Sequence, residues 1–88
     1  MSRVVIYSSS YCPFCIRALQ LLQRKQVANG IELELISVDG QAHLRQEMIR
    51  KAGRTSVPQI WIGEQHIGGC DELYALERRG ALDPLLAA

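Results

Sequence analysis

A strand-to-helix corner near the start of the chain constrains the fold more than any other feature. The apolar run Arg3-Val4-Val5-Ile6-Tyr7 reads as a strand covered on both faces. The polar bend Ser8-Ser9-Ser10-Tyr11 follows it, and Pro13 opens a helical stretch. Proline suits a first helical position, because the amide it lacks would be unpaired there anyway. The helix carries Cys15, Ala18, Leu19 and Leu22 on its apolar face and is predicted to stop at Asn29-Gly30, where glycine supplies a left-handed cap. Ile31, Leu33 and Leu35 then alternate with Glu32 and Glu34, which predicts a second strand over residues 31–38. Strand, helix and strand in so short a stretch make a βαβ unit with a parallel pair.

Further along, Leu44, Met48, Ile49 and Ala52 fall on one face of a second helix, with Arg45, Glu47, Arg50 and Lys51 turned to water and Gly53 at its end. Gln59-Ile60-Trp61-Ile62 and the short His66-Ile67 segment read as a hairpin around Gly63-Glu64-Gln65. Gly68-Gly69 leads into a third helix, with Asp71 and Glu72 at its positive end, Arg78-Arg79 at the other, and Gly80 closing it. Residues from Leu82 to Leu86 are expected to add one more helical turn. Trp61 is expected in the core and His66 on the hairpin. The order β-α-β-α-β-β-α predicts an α/β class with a mixed, four-stranded sheet flanked by helices.

No repeat, linker or low-complexity tract interrupts the 88 residues, so residues 1–88 are expected to form one domain. A chain this short buries little more than ~60% of its unfolded surface, which leaves a thin stability margin. Ten basic and nine acidic side chains nearly cancel, with no basic run longer than a pair. That leaves no electrostatic footprint for a nucleic-acid partner. The apolar runs are too short to span a membrane, and the first residues have strand character where a secretory signal would be basic and then apolar. A cytoplasmic monomer is expected. Three cysteines in such a chain point to a reducing compartment, where a Cys-x-x-Cys pair is more often catalytic or metal-binding than structural.

Cys12-Pro13-Phe14-Cys15 occupies the corner itself. Cys12 falls at the helix cap, where unpaired N–H groups converge and the dipole favours a negative sulfur. Stabilising a thiolate raises its population but lowers its nucleophilicity, and the two nearly cancel in the rate of attack. The net gain is in departure: a stabilised sulfur leaves readily when a second thiol attacks its mixed disulfide. Cys15, one turn on and facing the core, is placed to make that attack. Two small buried side chains would be the bland reading, but it explains neither the proline nor the preceding strand. A zinc site needs about four ligands; beyond the pair the chain offers only Cys70, His43 and His66, without a second pair at ligand spacing. No metal is expected.

Two further segments matter. Thr55-Ser56-Val57-Pro58 places proline where a strand begins, which suits an edge or a cis turn and leaves backbone groups free for an extended ligand. Gly68-Gly69-Cys70-Asp71 places glycines ahead of a helix start, a geometry that binds carboxylates through N–H groups. In this order, the three segments closely resemble the glutaredoxins, which carry Cys-Pro-(Tyr/Phe)-Cys, Thr-Val-Pro and Gly-Gly-Cys-Asp-(Asp/Glu) on a small thioredoxin-like fold. The likeness covers essentially the whole chain and is strongest to short bacterial dithiol members.

The resemblance implies a glutathione-dependent thiol–disulfide oxidoreductase that reduces protein disulfides and glutathione mixed disulfides. By it, Cys12 is the nucleophile and Cys15 the resolving thiol. Pro58 is expected to be cis, with Val57 pairing main chain to main chain with glutathione's cysteinyl unit. Gly69, Cys70 and Asp71 are expected to hold the γ-glutamyl end, with Ser56 beside them and Phe14 stacking on the ligand. Glutathione is then a co-substrate and no cofactor is tightly bound. The Cys70 side chain is expected to be a packed thiol. Many glutaredoxins carry a lysine in the bend before the cysteines; here the bend is Ser8-Ser9-Ser10, so Arg45, Lys51 or Arg54 has to supply positive charge. Two other functions compete. One is a thioredoxin-like reductant recharged by a flavin reductase, which the segment Gly68-Gly69-Cys70-Asp71 disfavours. The other is a module in which two protomers share a [2Fe–2S] centre through Cys12 and two glutathiones, which the stiff Pro13 corner disfavours.

Overall fold

The first strand, β1 (Arg3–Ser8), carries apolar side chains on both faces, and each face receives its own helix layer. The computed structural model describes residues 3–87. After β1 come α1 (Pro13–Asn29), β2 (Glu32–Ser37), α2 (Ala42–Ala52), β3 (Gln59–Ile62), β4 (Gln65–Gly68), α3 (Cys70–Arg78) and α4 (Leu82–Ala87). The sheet order is β2-β1-β3-β4. β1 runs parallel to β2 and antiparallel to β3, and β3 runs antiparallel to β4. The mixed four-stranded sheet and its flanking helices are as the residue pattern predicts.

Val4 and Ile6 point to the face covered by α1, α3 and α4, where Ala18, Leu21, Leu22, Leu73, Leu82 and Leu86 complete one core cluster. Tyr7 points to the other face and packs with Met48 of α2 and with Val38, flanked by Val5 and Trp61. Burying each such side chain contributes roughly 1.5–3 kcal/mol, so the larger cluster dominates the stability of so small a domain. Trp61 is only half-buried, edge-on to Tyr7 at 5.4 Å between ring centroids.

Helix ends follow the glycines. Gly30 (φ 66°) donates its N–H to Gln26 O at 2.9 Å, and Gly53 (φ 69°) donates to Ile49 O at 2.8 Å. Both positions take the left-handed conformation that glycine adopts without steric cost. The buried stripe of α1 is Cys15, Ala18, Leu21 and Leu22; Leu19 lies half-buried at its margin. Leu21 rather than Leu19 faces the core because the stripe continues to Lys25, whose head group meets Glu77 at 3.0 Å and Asp83 at 2.9 Å. That lysine ties α1 to both C-terminal helices, and its stem covers apolar surface beneath the ion pairs.

Strand limits shift slightly from the expectation. β1 extends to Ser8, and β2 covers Glu32–Ser37, while Val38 still donates its N–H to Ser8 O at 2.9 Å. The expected final turn is a helix, α4, whose Leu82 and Leu86 are fully buried against the larger core cluster. Leu82→Ala is expected to cost about 2–5 kcal/mol by the usual transfer and cavity cost. Leu35→Ala, at a half-exposed position, should cost under about 1 kcal/mol by comparison. Urea unfolding of the two variants checks both values; equal costs would mean that α4 does not seal the core.

Candidate active site

Cys12 is extended (φ −104°, ψ 111°) and caps α1, with the Cys15 N–H donating to its Sγ at 3.4 Å. Its own thiol donates to the Val57 carbonyl at 3.6 Å. Cys12 is partly exposed, Cys15 is only 1% exposed, and both are free thiols. Burial pushes the Cys15 thiol up, and the neighbouring Cys12 sulfur pushes it further, against hydrogen bonds from Ser9 N–H and the Ser8 hydroxyl. One sulfur is therefore reachable and the other is held protonated behind it.

The sheet explains why Val57 is beside Cys12. Tyr7 pairs with Gln59 in the antiparallel β1–β3 ladder, so the bend leaving β1 and the segment entering β3 lie at the same end. The Val57–Pro58 peptide bond is cis, as the resemblance implied. A groove of about 180 Å³ opens next to it. Phe14 forms one wall, Ser56, Val57 and Pro58 a second, and Gly69, Cys70 and Asp71 at the start of α3 a third. The groove thus brings together every residue named from the sequence for a glutathione site. Cys70 is buried, and burial raises its thiol.

Arg54 and Glu72 complete the lining. Glu72 was not singled out by sequence reasoning as part of the site, although its place three residues after Gly69 fits a helix-capping glutamate. Its Oε1 accepts from the Gly69 N–H at 2.7 Å and from Arg54 Nη1 at 3.1 Å. Those contacts, the Gly69 N–H first, hold its carboxyl below the usual range despite partial burial. The Gly69 N–H is consequently occupied. The amides of Cys70 and Asp71, which a helix start leaves without intrahelical acceptors, belong to residues that line the groove. Gly68 has φ 114°, and a Cβ there would lie 2.5 Å from Glu72 Oε1. At Gly69 a Cβ would lie 3.3 Å from Pro58 O. The two glycines let α3 close onto the cis-proline segment. Among the described residues no group of three or more His, Cys, Asp or Glu side chains is arranged to hold a metal ion.

A glutaredoxin family model matches residues 4–67. A glutaredoxin of Pseudomonas aeruginosa is 60% identical over 88 residues, with 100% of both chains covered. The chain belongs to the glutaredoxin family. Among solved structures, the glutaredoxin of Brucella melitensis superposes with a TM-score of 0.82 at 48% identity, over 99% of this chain and 90% of that one. A buckwheat glutaredoxin–glutathione complex superposes with a TM-score of 0.77 at 28% identity, over 97% of this chain and 76% of that one. Membership carries with it thiol–disulfide oxidoreductase activity.

The bend before the cysteines carries Ser8, Ser9 and Ser10 and no lysine. Of the three cations expected to supply the charge of the absent lysine, Arg54 lines the groove, Lys51 on α2 bonds Tyr7 and Glu47, and Arg45 faces Asp39. The bend itself is clasped by a carboxylate that sequence reasoning overlooked. Asp39 accepts from Ser9 Oγ at 2.7 Å and from the Ser10 N–H at 2.9 Å. Hydrogen bonds from the Ser10 and Ser9 hydroxyls and the Ser10 N–H bring its carboxyl down from 3.8 to about 2. A depressed carboxyl stabilises the fold above its unfolded midpoint and loses that contribution as pH falls through the folded one. The clasp should therefore hold at all pH values above about 4 and release as the pH approaches about 2. An NMR titration of the Asp39 carboxyl checks this; a midpoint near the ordinary value would mean the bend is not clasped.

Proposed function

We propose that this glutaredoxin reduces glutathione mixed disulfides and protein disulfides at the expense of glutathione, with Cys12 as attacking sulfur and Cys15 as resolving thiol. One observation carries the reading. The partly exposed Cys12 Sγ accepts from the Cys15 N–H and lies 3.6 Å from the Val57 carbonyl, beside a groove lined by Val57, Gly69, Cys70 and Asp71.

In the first step the Cys12 thiolate attacks the glutathionyl sulfur of a mixed disulfide. A new Cys12–glutathione bond forms, and the substrate sulfur leaves as a thiolate that takes a proton from water. A second glutathione then attacks the glutathionyl sulfur, forming oxidised glutathione and returning the Cys12 thiolate. With a protein disulfide, Cys12 forms the mixed disulfide with the substrate, and Cys15 attacks Cys12 Sγ to expel the second substrate thiol. Glutathione reduces the resulting Cys12–Cys15 disulfide. The tripeptide fits the groove in chemistry as well as shape. Val57 offers a main-chain partner for its cysteinyl unit, the amides of Cys70 and Asp71 suit its γ-glutamyl carboxylate, and the Asp71 side chain suits its ammonium. Phe14 stacks on it, while Ser56 and Pro58 set the edge and Gly69 allows the close approach. The buckwheat complex, a family member with glutathione bound, supports this choice of ligand. Residues 1–88 are read as one catalytic domain acting as a monomer on glutathionylated and disulfide-bonded proteins in a reducing compartment. No helix among the described residues is long and apolar enough to cross a membrane.

Turnover of a glutathionylated peptide and of a protein disulfide, each with glutathione, tests the reading. Cys12→Ser should reduce both to background. Cys15→Ser should keep deglutathionylation and lose reduction of the protein disulfide; equal loss of both would remove the assigned roles. Asp71→Ala should raise KM for the glutathionyl substrate roughly three- to tenfold with little change in kcat, the effect of losing one charge-assisted contact at a partly exposed site. An unchanged KM would take the γ-glutamyl end away from α3.

A further inference from the structure

The alternation that turns Val4 and Ile6 toward α1 turns Ser8 the same way, and Ser8 is buried at 8% exposure. A hydroxyl thus ends an otherwise apolar row under the first turn of α1. Ser8 and Cys15 share the wall of a cavity of about 210 Å³, which Ile16, Leu19 and Leu35 also line. This cavity lies between α1 and β2, and none of its lining belongs to the glutathione groove. Ser8 and Cys15 are buried side by side on that wall, and the Ser8 hydroxyl and the Ser9 N–H each draw the Cys15 thiol down, against the effect of burial. The placement of Ser8 is rigid, because its carbonyl accepts from the Val38 N–H at 2.9 Å where the β1–β2 ladder ends.

We propose that the Ser8 hydroxyl is a catalytic group of the resolving step, donating to Cys15 Sγ as that sulfur becomes the thiolate that attacks the mixed disulfide at Cys12. This rests on the assignment of Cys15 as resolving thiol. A thiol sealed from water has to lose its proton before it can attack, and desolvation opposes that loss. An O–H donor aimed at the sulfur from a fixed strand offsets part of the opposition without admitting water. In the step itself, Cys15 S–H gives its proton to solvent and the sulfur forms a bond to Cys12 Sγ. The bond from Cys12 Sγ to the partner sulfur breaks, and the partner leaves as a thiolate that is protonated in turn. Cys15 is oxidised and the partner sulfur is reduced. The groups facing Cys15 are few. Cys12 is the titratable neighbour, and Asp39 acts on the site through its hold on Ser9. From α1 come Ile16 and Leu19 and from β2 come Leu35 and Ser37, none of them charged.

The test compares two rates in wild type, Ser8→Ala and Ser8→Thr. Reduced protein is mixed with a glutathionylated peptide, quenched in acid at intervals and weighed. This yields the rate at which the Cys12 mixed disulfide converts to the Cys12–Cys15 disulfide. The second rate is turnover of the same peptide driven by free glutathione, in which Cys15 takes no part. For Ser8→Ala the ratio of the first rate to the second should fall about tenfold, the scale of one hydrogen bond to a charged group. The pH at which resolution reaches half its maximum should rise, and Ser8→Thr should restore both. An unchanged ratio and pH profile for Ser8→Ala would overturn the proposal. So would a Thr variant as slow as the Ala variant, since packing and not the hydroxyl would then be responsible. Cys15→Ser serves as the control: if its mixed disulfide fails to accumulate, the assignment of Cys15 falls, and the proposal with it, for a reason separate from Ser8.

Discussion

The site depends on the antiparallel pairing of β1 with β3. That pairing sets Tyr7 opposite Gln59 and so brings Cys12 to the carbonyl of Val57, forty-five positions along the chain. Its strength comes from the apolar rows on both sides. Val4 and Ile6 are buried with Ile60 and Ile62 under α1 and α3, while Val5 and Tyr7 are covered from the α2 side. A one-residue slip in register would exchange those rows and place Ser8 on the wrong face. The chemistry is thus held by a ladder that contains no chemical residue of its own.

The two cysteines belong to different surroundings although they share one helical turn. Cys12 looks onto a groove whose walls come from a loop, a helix start and an aromatic ring. Cys15 looks into a cavity of serines and aliphatic side chains on the opposite side of the α1 start. A reaction that needs one exposed sulfur and one sheltered sulfur is served by this division. In the proposed reaction the exposed sulfur meets substrates, and the sheltered one meets only the disulfide formed next to it.

What could be read from the sequence is what is local. Pro13 announces the start of α1, Gly30 and Gly53 end helices by taking positive φ, and an apolar run over residues 3–7 and alternation along 31–35 mark two strands. The cysteine pair, the proline segment and the glycine pair are legible because each is a contiguous string. Partners distant in sequence were not legible. Asp39 reaches back to Ser9 and Ser10, and nothing in the string Val38-Asp39-Gly40 says so. Gln59 reads as an ordinary strand residue, yet it is fully buried and donates its amide to Ser56 O at 3.0 Å and to Ser56 Oγ at 3.3 Å. Its Oε1 lies 2.8 Å from His66 Nε2, which fixes that nitrogen as the donor. The edge of the groove is therefore braced from inside the sheet, by side chains whose roles exist only once β3 and β4 are paired. The choice of Leu21 over Leu19 has a similar origin, since the stripe of α1 is decided by where α3 and α4 settle against it.

Charge in the groove follows from what the serine bend lacks. With no lysine before the cysteines, Arg54 is the cation that lines the groove, and it is paired with Glu72 at a half-exposed position. Such a pair is weak, on the order of 1 kcal/mol or less. It is easily surrendered when a better partner arrives. Glu72 does not lose its role when Arg54 moves, because the Gly69 N–H at 2.7 Å is the main influence on its carboxyl. In the proposed reading, an incoming ligand carboxylate would gain a guanidinium able to bind it in two-pronged fashion at the cost of one exposed contact. Glu72 still caps α3 and keeps the amides of Cys70 and Asp71 oriented. The arrangement keeps its cation against a helix cap, close to the groove and in a weak pair, where a lysine in the bend would stand beside Cys12 itself.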